Sequence, residues 1–160
     1  MRKWGASAEA MAFAEALNFE AYLSELKQHG KVDAGTITYP FRVNDNDEPV
    51  LLNGDPRSID VWSEGTKVNV RKDVAFAAIA RRFPNVSYAD DPPSFVSTGR
   101  SQHGGQEFVY LFELKNGCHG CEVVGGAEVA FDFDAQGHYL GARLLGVRRH
   151  ADVAPAARGR

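Results

Sequence analysis

The spacing of apolar residues changes along this chain, from a helical period near its start to two-residue alternation near its end. Between about Ser7 and Gln28, Met11, Phe13 and Leu17 lead into Phe19, Tyr22, Leu23 and Leu26, which fall at i, i+3, i+4 and i+7 and draw one apolar stripe. This predicts a helix, or two with Asn18 capping the second, ended by Gly30. A further helix is predicted over "RKDVAFAAIARRF", residues 71 to 83. There Phe76, Ile79, Ala80 and Phe83 share a face, Arg81 and Arg82 suit the negative end of the dipole, and Pro84 stops the helix.

Other stretches read as strands. "TITYPFRV", residues 36 to 43, is rich in β-branched and aromatic types, and Pro40 pushes it to a sheet edge or bulge. "VLLNGDP" and "SIDVW" predict short strands around an Asn53-Gly54 turn, because both residues tolerate positive φ. Beyond the Pro-rich "DDPPS" come three long strands: "EFVYLFEL" (107 to 114), "AEVAFDF" (127 to 133) and "HYLGARLLGV" (138 to 147). The first is apolar at nearly every position; the second puts Ala127, Val129, Phe131 and Phe133 on one face and Glu128 and Asp132 on the other. The predicted fold is α+β, a single domain over residues 1–150, with the N-terminal helix packed on a curved antiparallel sheet and a C-terminal three-stranded meander. Residues 151–160, rich in Ala, Pro and Gly, read as a flexible tail.

Composition narrows the class. With 44% hydrophobic and 24% charged residues in 160, the chain can bury a core of its own, and its apolar runs fall far short of what a membrane span needs. A net charge of −3 argues against nucleic acid as partner, since phosphate binding wants clustered cations. The first residues contain no apolar stretch of the kind that marks a leader, so the compartment depends on the two cysteines. Paired, they suit a periplasmic or exported protein; as free thiols, a cytoplasmic one.

Those cysteines stand in "KNGCHGCEVVGG", residues 115 to 126, at the turn between the first two long strands. A zinc site would need a third and fourth ligand beyond Cys118, Cys121 and His119, from His103, His138 or His150, and no second CxxC exists. A thiol-exchange site would gain its reactive thiolate from a helix N-terminus, whereas "EVVGGAEVAF" after Cys121 is strand-like. Adjacent residues on extended chain face opposite ways, which disfavours a Cys–His nucleophilic dyad. The remaining reading is a disulfide that closes the turn and holds His119 and Gly120 at a rigid tip; the plain alternative is that His119 is an ordinary turn residue.

Here "YLFELKNGCHGCEVVGGAEVAFDF" resembles the active end of periplasmic inhibitors of vertebrate-type lysozyme, in which a cysteine-bracketed loop presents a histidine to the enzyme's acidic cleft. The resemblance covers about a fifth of the chain and implies roles for Cys118, His119 and Cys121 alone. Separately, "FEAYLSELKQHGKVDAGTITYPFRVN" is similar to the opening of small exported bacterial domains of the cystatin-like and nuclear-transport-factor-2-like kinds. That likeness implies a helix cradled by a sheet and transfers no catalytic residue.

Other constellations are weaker. Asn44 to Glu48 offers several oxygens, but the sharp-turn glycine of a calcium loop is missing, so a solvated loop is expected. Asp132 and Asp134 share a strand face and suit paired acid/base work only if that face is not simply exposed. His103, in "GRSQHGGQ", is expected on a mobile linker, and Trp62, Tyr110, Phe112 and Tyr139 in the core rather than around a pocket. The function expected from these residues is a non-enzymatic binding or inhibitory module that docks its loop on a protein, with a lysozyme-type hydrolase as candidate partner and no cofactor. Two alternatives stand beside it: a nuclear-transport-factor-2-like pocket for a small apolar ligand or acid/base chemistry, and a CxxC thiol–disulfide protein.

Overall fold

The computed structural model describes residues 12–13, 15–18, 20–43 and 46–150. The tail expected from residue 151, and Asn44 and Asp45 of the polar loop, lie outside them. Two antiparallel sheets dominate. The first runs β1 (Tyr22–Lys27), β2 (Asp33–Thr38), β3 (Asp47–Leu52) and β4 (Ser58–Asp60) in sequence order. A short helix α1 (Val61–Gly65), a 3-10 turn (Val70–Lys72) and the helix α2 (Val74–Arg82) lead to the second sheet. There β5 (Val86–Tyr88) and β6 (Ser94–Arg100) both pair with β7 (Gly104–Asn116), which is followed by β8 (Val123–Asp134) and β9 (Tyr139–Arg149).

The α+β expectation is therefore corrected: the structure is 51% strand and 16% helix in two sheets, and among the described residues no N-terminal helix lies on a single curved sheet in the cystatin or nuclear-transport-factor-2 manner; Ser7 to Met11 of the predicted helix, and Phe19, lie outside the described residues. Residues 22–27 show why the period misleads. Leu23 pairs with Ile37, Glu25 with Thr36 and Leu26 with Gly35, so a bulge at Ser24 puts Leu23 and Leu26 on the same face of β1. Three-residue spacing, the mark of a helix, arises here from a strand with one extra residue. Asn18 likewise caps no second helix; it sits at φ +51° and closes a helical turn, donating to the Glu15 carbonyl.

The C-terminal meander forms as its sequence pattern suggests, and α2 forms where its apolar face requires, with Asp73 accepting from the amides of Ala75 and Phe76 as N-cap. Asn53, at φ +68°, makes the predicted turn, although Val61 and Trp62 go into α1 rather than a strand.

One apolar core joins the sheets. Ala34, Leu51 and Ile59 from the first meet Phe108, Tyr110, Phe112 and Leu114 of β7 and Ala127, Val129, Phe131 and Phe133 of β8. The rings interlock edge to face, with Phe108 to Phe133 at 5.9 Å and Tyr110 to Phe131 at 5.7 Å between centroids. A second cluster, with Ile37, Val50 and Leu52, covers the opposite face of the first sheet beneath Phe13 and Leu17.

Polar stitches fix how the sheets meet. The Gln106 amide oxygen accepts from Lys31 and Val32 at 3.0 and 2.8 Å, and its nitrogen donates to the carbonyls of His29 and Val32 at 3.0 and 2.9 Å. One β7 side chain thus satisfies four backbone groups at the β1–β2 bend. On the far side, the Asp55 amide donates to the Gly137 carbonyl at 2.9 Å, while the Tyr139 amide donates to the Asp55 carbonyl at 2.8 Å.

Candidate functional site

The cysteine turn is the projecting end of β7 and β8. Gly117 leaves β7 at φ +95°, a conformation open to glycine at little cost, and the Cys121 amide donates back to the Cys118 carbonyl at 3.0 Å. The two cysteines are joined, with Cα atoms 5.0 Å apart. Strand lies on both sides of the pair, so neither cysteine opens a helix, the usual source of an activated thiolate in a CxxC pair.

Two residues outside the Cys118–Cys121 turn position the tip. Lys115, the next-to-last residue of β7, donates to the His119 backbone carbonyl at 2.8 Å and is ion-paired with Asp91. Its side chain is only 11% exposed, because β5 runs alongside and pairs Ser87 with Lys115. Asp91 reaches the same place because the Ala89 amide donates to the Glu113 carbonyl, which holds the chain after β5 against β7. Pro92 and Pro93 then restrict it further. The Asp91 carboxylate lies 3.9 Å from Nδ1 of His119, whose ring is 51% exposed.

The result is a cation–carboxylate–imidazole row leading from a buried ammonium to a solvent-facing ring. Lys115 anchors the backbone, Asp91 favours one side for the imidazole, and the disulfide limits the turn. Gly120 is exposed, and a side chain there would meet nothing within 4 Å. What this arrangement can do is donate and accept hydrogen bonds from a preset position; both sulfurs are spent in their bond, and the ammonium is spent on two acceptors.

The remaining candidates are dispersed. Asp132, expected on an exposed face, is instead 7% exposed and bonded to Arg143, which also holds Glu107. Asp134 is bonded to His138, Oδ2 to Nδ1 at 2.8 Å, so each carboxylate of the suggested pair has its own basic partner. That bond lowers the Asp134 pKa and raises that of His138. His103 belongs to the β6–β7 hairpin turn rather than to a linker: its amide donates to the Ser101 hydroxyl at 3.1 Å, that buried hydroxyl donates to the Phe133 carbonyl at 2.9 Å, and the Ser101 amide donates to the Gly105 carbonyl at 3.0 Å. Tyr110 and Phe112 are core residues at 1% and 2% exposure, with Trp62 and Tyr139 packed against the same cluster. Asp47 and Glu48 are engaged by the Thr38 hydroxyl and Arg42, respectively.

Among the described residues, no helix is long and apolar enough to cross a membrane. No protein-family model, curated protein or solved structure matches the chain.

Proposed function

We propose that the protein is a non-enzymatic recognition module that offers the Cys118–Cys121 tip to a protein partner, and that a lysozyme-type hydrolase is the partner to try first. The observation that carries the reading is the double restraint on one residue: the His119 carbonyl is held by Lys115 while its half-exposed ring leans on Asp91. A loop ordered in advance loses less entropy on docking, so a small tip can contribute usefully to affinity. The choice of a hydrolase cleft comes from the sequence resemblance at Cys118, His119 and Cys121. A disulfide also goes naturally with a periplasmic or exported setting.

Inhibition assays against a panel of lysozymes, with wild type beside His119→Ala, test this. Inhibition by wild type that falls at least about tenfold in the variant, equivalent to 1.4 kcal/mol, supports the reading. Equal inhibition by both, or none by either, removes the inhibitor proposal.

A further inference from the structure

The first sheet changes chemistry along its inner face. At one end the inward residues are Ala34, Leu51 and Ile59, which join the core; further along, the same face carries Glu25, Thr36, Pro49 and Asp47. Polar side chains cannot close onto an aromatic sheet without losing their water, so the sheets part there. The space between them is a cleft of about 210 Å³. Its opposite wall is Pro92, Pro93, Phe95 and Tyr110, and Phe95 is 38% exposed.

We propose that this cleft binds a short neutral saccharide. One wall is apolar and ring-shaped, while the other presents two carboxylates, a hydroxyl and the Lys27 ammonium, so the matching ligand has a flat C–H face and a hydroxyl-rich edge. The carboxylates have acceptor capacity to spare: among the described residues Glu25 has only Lys27 as an ion-pair partner, at 4.0 Å, and Asp47 takes the Thr38 hydroxyl on one oxygen. Lys27 stands 6.0 Å from the Phe95 centroid, at the limit of cation–π attraction, so a sugar ring displaces it at little cost. Two carboxylates against one ammonium disfavour an acidic sugar.

The direction of the cleft separates a saccharide from an extended peptide. Glu25, Thr36 and Asp47 come from three successive strands, so the cleft crosses β1, β2 and β3 instead of following an edge. The backbone of β2 is committed to its ladders with β1 and β3, which leaves side chains to make the contacts. A volume below the roughly 300–1,000 Å³ of drug-sized pockets points to one or two sugar rings at a time.

Amide shifts of the isotope-labelled protein, titrated with cellotetraose and with chitotetraose to about 10 mM, test the proposal. The expected result is saturable shifts at Glu25, Lys27, Thr36 and Phe95 with at least one of the two sugars, weakened about tenfold or more in Phe95→Ala. Because Phe95 also contacts the rings of His29 and Tyr110, Glu25→Gln, on a 64%-exposed side chain, provides a second variant that should weaken binding without disturbing the fold. No cleft shift with either sugar, shifts located elsewhere, or binding indifferent to both variants overturns it. So does a cleft response to an extended proline-containing peptide alone.

Discussion

Lys115 and His119 are joined by a 2.8 Å hydrogen bond from a nearly buried ammonium to the carbonyl of the residue at the tip. The same ammonium pairs with Asp91, which lies 3.9 Å from the His119 ring. One cation therefore orders both the backbone at the tip and the carboxylate beside the imidazole.

Lys115→Met keeps the length of the side chain and removes both bonds. Amide exchange at residues 117–121 is expected to quicken, and partner binding to weaken, while stability in urea drops by only about 1.5–3 kcal/mol, the range for a bond to a charged group. Asp91, 29% exposed, can recover water when its partner goes, which limits the loss. Unchanged exchange at the tip would show that the disulfide alone fixes it.

The His138–Asp134 pair gives stability a pH window. A hydrogen bond to Asp134 raises the His138 pKa, so this contribution is complete below the ordinary histidine value of about 6.5 and disappears as pH rises through the higher folded value. The reciprocal bond lowers the Asp134 pKa, so its share is present above about 3.9 and lost as pH falls through the lower folded value. The pair thus contributes fully between about pH 4 and 6.5. Melting temperature is expected to fall as pH rises above about 6.5, and His138→Gln to flatten that slope; parallel profiles for the two proteins would contradict it.

Gly65 ends α1 directly over the ring of Phe112. A Cβ placed there would come within 2.0 Å of the Phe112 Cζ, and Phe112, 2% exposed, has no room to swing away. Gly65→Ala is expected to lower the urea midpoint by the equivalent of about 1–3 kcal/mol, the usual range for overpacking, with an unchanged m-value. Wild-type stability in the variant would mean that α1 shifts freely on the sheet.

What the sequence shows of this fold follows interaction range. The strands β7, β8 and β9 are long runs that stand out in the sequence, β7 as a nearly continuous apolar run and β8 by two-residue alternation, and α2 has its own cap and stop. β1 is hidden because the bulge at Ser24 gives Leu23 and Leu26 helical spacing, and only pairing with β2 distinguishes the two. At the tip, the cysteines are visible because they are three residues apart. Asp91 and Lys115, separated by 24 residues, meet only after β5 folds onto β7. Gln106 is similar: in a glycine-rich stretch it looks incidental, yet it bonds residues more than 70 positions away.

The tip owes its shape to the bond between Cys118 and Cys121. Intact mass after denaturation in an alkylating reagent, on protein purified without reductant, tests that bond most directly. Neither cysteine should be labelled, and both should become so only after prior reduction. Two labelled thiols without reduction would contradict a closed tip, and with it the docking role assigned to His119.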